Sequence, residues 1–164
     1  MEPQTHEILE ALKEHGITYE YVEHPPVMTI DEFKQYEAYN KGLILKNLFL
    51  RDDTGKKTFL LSCKPDTKTD LRQLADSLGV KKVSFASADR LMKHMRLLPG
   101  AVSPLGLVFD TEHKVTMALD ASLKDYQGLV GVHPGSNAAT VFLEFSALLT
   151  LLNAIGVKPI FISI

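Results

Sequence analysis

A chain of 164 residues with 45% hydrophobic and 23% charged residues is long enough to bury one sizeable core, and its composition excludes a disordered, fibrous or disulfide-stapled protein. The formal net charge of −2 excludes a broadly basic face for gripping DNA, while pairs such as Lys56–Lys57 and Lys81–Lys82 leave room for a local basic rim. Cys63 is the only cysteine, which excludes an intramolecular disulfide and a multi-cysteine zinc site and favours a buried, inert thiol.

Ile8, Leu9 and Leu12 recur at helical spacing after Thr5, and Gly16 supplies the stop, so residues 5–15 are expected to form an amphipathic helix. Its internal charges are unlike a signal-peptide core. No run approaches the ~18 apolar residues of a membrane span, and a cytoplasmic protein is the expectation. "ITYEYVEH" alternates as a strand and ends at a proline pair. Thr29-Ile30-Asp31-Glu32 has the form of a capping box and opens a helix running to about Tyr39.

"GLILKNLFLRD" reads as a strand covered on both faces, and after the turn "DDTGKKT" the run "TFLLSC" returns antiparallel to it. "TDLRQLADSLG" is a helix beginning at Thr69 and ending at Gly79; "VKKVSF" is a strand; "SADRLMKHM" is a short helix capped by Ser87. "LGLVFD" and "KVTMALD" flank the turn "TEH" as a second hairpin. "ATVFLEF" is a strand, "SALLTLLNAIG" a helix capped by Ser146, and "KPIFISI" a closing strand. These elements define an α/β domain with a mixed, largely antiparallel sheet flanked by helices.

Three places break the pattern of a simple core. Lys46 and Asn47 sit mid-strand in an apolar run, where an ammonium costs several kcal/mol unless it is paired or reaches solvent. The other two are the loop "GAVSP", Gly100 to Pro104, and "HPGSN", His133 to Asn137. Each has an ordinary explanation: a lysine snorkelling to water, a glycine–proline turn, a histidine bonded to a neighbouring carbonyl. No phosphate loop, dinucleotide fingerprint, nucleophile elbow or H-E-x-x-H is present. The histidines at 6, 15, 24, 94, 113 and 133 have no paired metal-ligand spacing. Nothing indicates a metal or other cofactor.

Taken in order, "EHPPVMT", "LKNLFLRD", "LPGAVSPLGL" and "HPGSNAAT" resemble the YbaK/ProX family of aminoacyl-tRNA deacylases, related to the editing domain inserted in many prolyl-tRNA synthetases. The resemblance covers almost the whole chain and implies a single editing domain over residues 1–164. "KNLFLRD" and the length resemble most the free-standing deacylases that clear alanine from proline tRNA. Two positions depart from the family pattern: Met28 stands where related chains often carry phenylalanine, and Gly135-Ser136 where many carry a bulkier residue and threonine.

The resemblance implies hydrolysis of the ester between an amino acid and the 3′ end of tRNA, without a protein nucleophile. Lys46, Gly100 and His133 would carry the chemistry. Met28, Thr29, Asn47, Ala101, Val102, Ser103, Pro104, Gly135, Ser136 and Asn137 would shape the substrate site. The implied partner is an aminoacylated tRNA, with prolyl-tRNA synthetase as a transient one; DNA and membranes are not implied. Another mischarged tRNA, such as one carrying cysteine, and a non-catalytic module binding tRNA ends or an amino acid remain the alternatives.

Overall fold

A computed structural model describes residues Met1–Ile164. Nine strands form two sheets. The first is ordered β1 (Glu20–Glu23), β8 (Ala139–Glu144), β7 (Leu129–Val132), β2 (Leu43–Ile44); the second is ordered β5 (Val83–Phe85), β3 (Lys46–Asp52), β4 (Thr58–Cys63), β6 (Val115–Asp120), β9 (Ile160–Ile162). The expected β3–β4 hairpin forms, with Lys46 opposite Cys63 and Arg51 opposite Thr58. Antiparallel and parallel pairings mix in both sheets. The α/β class stands, but the strands divide between two sheets where one was expected.

The division follows from burial on both faces of β3. Leu45 and Phe49 enter the main core beside Val130, Val141 and the helices α1 (Pro3–Glu14), α4 (Ala88–Met95) and α5 (Phe145–Ala154). Leu48 and Leu50 face a second cluster under α3 (Leu71–Leu78), which supplies Leu74 and Ala75. The two-residue period of the strand thus serves two cores. Each fully buried leucine contributes about 2 kcal/mol of burial.

Local departures have local causes. The helix α2 stops at Ile30–Phe33 instead of reaching Tyr39, because Tyr36 adopts extended backbone and the chain restarts as a 3₁₀ turn over Glu37–Lys41. That break lets Tyr39 pack its ring 5.8 Å from Phe33. Asp70, rather than Thr69, caps α3, accepting from the Arg72 amide at 2.8 Å. Glu144 precedes α5 in place of the expected Ser146 cap.

"LGLVFD" is not a hairpin strand: Pro104–Phe109 is a 3₁₀ helix, capped by Ser103 Oγ accepting from the Leu105 amide at 3.1 Å. An apolar run that is mostly buried has no periodicity to separate the two states, and Pro104 presets a helical first position. β6 consequently pairs in parallel with β4 and β9. β7, absent from the sequence expectation, is hidden by the glycines of "GLVGVHPG". No helix is long and apolar enough to cross a membrane.

Candidate active site

β2 and β3 are consecutive but lie in different sheets. Ile44 pairs with Gly131 of β7, the Leu45 amide donates to the Gly131 carbonyl at 3.1 Å, and from Lys46 the chain belongs to the second sheet. On its other side β3 is paired with β5 only from Leu50 to Asp52. The segment 44–48 therefore has an open flank, and a cleft of about 430 Å³ occupies it.

Lys46 is half-buried there, and its Nζ donates to the Thr67 carbonyl at 2.9 Å. The four ion pairs of the chain do not include it. A neutral acceptor occupies one of three ammonium hydrogens and leaves the charge uncompensated. Asn47 braces the crossing: its Nδ2 donates to the Leu45 carbonyl at 3.3 Å, and its Oδ1 accepts from the hydroxyl of fully buried Ser62. Cys63, opposite Lys46, is fully buried, and burial pushes its thiol above the usual value while Lys46 partly opposes the shift. It is not poised as a nucleophile.

The facing lip is the loop after α4. Gly100 has φ +90°, and a Cβ there would lie 2.9 Å from Met28 Sδ. Met28 is itself 60% exposed at the mouth, where Asn137 Nδ2 donates to its sulfur at 3.3 Å. The Ala101 amide is consumed by the Leu98 carbonyl at 3.0 Å, whereas the Gly100 and Val102 amides find no acceptor within the chain. At the base, His133 Nδ1 lies 2.8 Å from the Ala139 carbonyl. A carbonyl only accepts, so Nδ1 carries the hydrogen and Nε2 is left with its lone pair. Burial holds the His133 pKa below its ordinary value; the Ala139 carbonyl opposes this and nearby His24 reinforces it.

Of the residues singled out in the sequence, Met28, Thr29, Lys46, Asn47, Gly100, Val102 and His133 line this one cleft. The others lie off it. Ala101 and Ser103 are buried behind the lip, and Pro104 begins the 3₁₀ helix. Gly135 sits against Gln4 and Thr5 of α1, where a Cβ would meet both at 3.3 Å. Ser136 Oγ accepts from the Ala138 amide, and Asn137 does not line the cleft but supports residues that do, its carbonyl accepting from the Val27 amide at 3.1 Å and its Nδ2 donating to the Met28 sulfur. These residues hold the loops in place. They do not face the space a ligand would fill.

Sequence reasoning missed the rim. Lys34 spans from Asp31 to Asp66, both at 3.4 Å, tying α2 to the segment after β4; no spacing rule links Lys34 to Asp66. It also missed His24, whose ring lies 4.5 Å from Phe33 and 6.1 Å from His133. Its Nδ1 donates to the Pro25 carbonyl at 2.9 Å, so its Nε2 accepts from Thr140 Oγ1 at 2.8 Å. The proline pair that follows it was the available signal.

The sequence profile of the aminoacyl-tRNA editing domain matches residues 24–151. The chain is 41% identical over 149 residues to the prolyl-tRNA editing protein ProX of Acetoanaerobium sticklandii, covering 91% of this chain and 90% of that one. It is 33% identical over 159 residues to the prolyl-tRNA synthetase associated domain-containing protein 1 of Danio rerio, covering 96% and 85%. A crystal structure provisionally assigned as a trans-editing enzyme for prolyl-tRNA synthetase superposes with a TM-score of 0.75 at 21% identity, over 100% of this chain and 99% of that one. The chain belongs to the aminoacyl-tRNA editing domain family, and with that membership stands the activity expected from the sequence, an aminoacyl-tRNA deacylase.

Proposed function

We propose that the whole chain acts as one free-standing domain that hydrolyses mischarged proline tRNA in the cytoplasm, with alanyl-tRNA as its main substrate and prolyl-tRNA synthetase as a transient neighbour. The observation that carries the chemical reading is that Lys46, with no carboxylate partner, Gly100 and Val102, whose amides have no acceptor within the chain, and His133, whose Nδ1 is taken by a carbonyl, all line one cleft. An aminoacyl ester is already activated, so positioning and polarisation suffice without a covalent intermediate.

The Gly100 and Val102 amides, free of acceptors within the chain, donate to the ester carbonyl oxygen as negative charge develops on it. The glycine, lacking a Cβ, lets the carbonyl approach the backbone. Lys46 retains two ammonium hydrogens for the terminal phosphate or the ester oxygens. Water, activated by the neighbouring ribose hydroxyl, adds to the carbonyl carbon; the bond to the ribose oxygen breaks, and that oxygen takes up the proton. Free amino acid and tRNA are the products. His133 Nε2, unprotonated near neutral pH, accepts a hydrogen bond from the substrate's ammonium or hydroxyl groups.

Alanine fits beneath Met28, and the proline ring collides with it. Removing methylenes alone yields only about 1–3 kcal/mol of discrimination, so a steric wall is required. The test is release of free amino acid at substoichiometric protein from alanyl-, cysteinyl- and prolyl-charged proline tRNA. Alanine is expected to be released fastest and proline barely at all. Preferred release of cysteine or proline would reject the substrate assignment, and stoichiometric binding without release would reject the enzyme.

A further inference from the structure

A second recess lies at the opposite end of the β3–β4 hairpin. It has a volume of about 430 Å³, and none of the nine residues lining it is apolar. Lys56 comes from the hairpin turn, Arg90 and Lys93 from α4, and Lys114 from the segment entering β6; Asp89 is the only carboxylate among the nine. Two of the nearby acids are engaged elsewhere. Asp52 accepts from Thr54 Oγ1 at 2.7 Å and the Lys57 amide at 3.1 Å, and Asp110 from the Lys114 and Val115 amides at 3.0 and 2.8 Å. None of Lys56, Lys93 and Lys114 takes part in an ion pair.

The recess is built as well as charged. Arg90 Nη1 donates to the Gly55 carbonyl at 2.8 Å and to Thr58 Oγ1 at 3.0 Å, which locks the turn against α4. Pairing of Asp52 with Val83 brings exposed Lys81 and Lys82 to the same end of the sheet. Burial lowers the pKa of His94 in its wall, Asp110 opposes the shift, and Lys93, Arg90 and Lys114 add to it. For a chain of net charge −2, this is a marked local concentration of cations.

We propose that this recess seats backbone phosphates of the substrate RNA's duplex stem while the 3′ end occupies the cleft. The proposal rests on the reading of that cleft as the place where the ester is cleaved. Two elements span from one place to the other: β3 runs from Lys46 to the turn, roughly 20 Å at strand rise, and α4 leads from the recess to the Gly100 loop. A short unpaired 3′ end followed by the first base pairs of a stem bridges that separation. A-form RNA is recognised largely through shape and phosphates, and ammonium groups without acidic partners suit that contact.

The test combines Lys56→Gln, Lys93→Gln and Lys114→Gln, all at exposed positions, and leaves Arg90 in place. Deacylation is measured on full-length alanyl-tRNA and on an aminoacylated 3′-terminal trinucleotide. On the full-length substrate kcat/KM should fall about 10-fold through KM, with a salt slope shallower by roughly 0.7–0.9 per lost phosphate contact. The trinucleotide should be cleaved as by the wild type. Unchanged kcat/KM and slope on full-length tRNA, or equal losses on both substrates, would overturn the proposal.

If the wild type cleaves neither substrate, the deacylase reading fails, and the recess is judged by binding of an uncharged acceptor-stem hairpin. Weaker binding by the variant, with the shallower slope, would keep the recess as an RNA site, and equal binding would remove it. Retained RNA affinity with lost binding of a polyglutamate peptide would assign it to an acidic protein and overturn the RNA reading.

Discussion

The Lys46 ammonium is held 2.9 Å from the Thr67 carbonyl, a neutral partner that orients the charge without cancelling it. Lys46→Met keeps the aliphatic stem and removes the charge. Single-turnover deacylation is expected to slow by about 100-fold, the scale of one lost electrostatic contact in a transition state. The Thr67 carbonyl loses a partner at a half-exposed position, so the stability cost should stay near 1 kcal/mol. Wild-type turnover by a folded Lys46→Met protein would remove Lys46 from the chemistry.

Gly100→Ala acts on the opposite lip. At φ +90° a Cβ is strained by about 1–2 kcal/mol, and here it would also displace the Met28 thioether from 2.9 Å. Because the loop meets the reacting carbonyl rather than the body of the RNA, kcat should fall more than KM rises. A raised KM with kcat intact would place the loop in binding alone.

Met28→Ala should relax size selection. The thioether sits between Gly100 and the Asn137 amide at the mouth, and removing it opens space for a proline ring. The ratio of alanyl- to prolyl-tRNA cleavage is expected to drop by about 10-fold, within the range that a few methylenes command. An unchanged ratio in a matched kinetic series would mean that another wall excludes proline.

His133 ties stability to pH. Burial depresses its folded pKa below that of the unfolded chain, so the unfolded state binds more protons as pH falls through the ordinary histidine value near ~6.5. The stability associated with neutral His133 is present above that pH and is lost as pH drops toward the folded pKa, at no more than about 1.4 kcal/mol per pH unit for one proton. His94 carries a depression of the same sign, so wild type and His133→Asn must be compared. Urea midpoints of the variant should fall less between pH 7 and 5; parallel curves would contradict the assignment.

Much of this was legible before the fold was known, for reasons that differ by residue. Lys46 stood out because its charge interrupts an apolar strand, and Gly100 and His133 because short irregular motifs flank them. Thr29 was legible as a helix cap, and its Oγ1 does accept from the Glu32 amide at 3.2 Å. Ser103 and Gly135 belong to the same motifs as the lining residues but serve the backbone, one as a cap and the other by close approach to α1; motif membership alone does not distinguish facing a ligand from supporting the loop. Lys34 and His24 were illegible because the partners that place them at the rim, Asp66 for the one and Phe33, His133 and Thr140 for the other, come by tertiary approach rather than sequence spacing. The split into two sheets was hidden because Leu45 carries the chain between them inside one apolar run; the charge of Lys46, where the second sheet begins, marks an irregular place but not a change of sheet.

That crossing makes one amide a reporter for the frame of the molecule. The Leu45 N–H is bonded to Gly131 in the first sheet while the next residue begins the second, so an opening that pulls the start of β3 and Leu45 away from β7 exposes it to solvent. Motions that merely loosen α2 or the Gly100 loop leave it protected. Native-state hydrogen exchange at Leu45 thus separates breathing of the rim from dissolution of the frame. If it exchanges only with the slowest, global class, substrates are admitted by the rim alone and the sheets act as a rigid jaw.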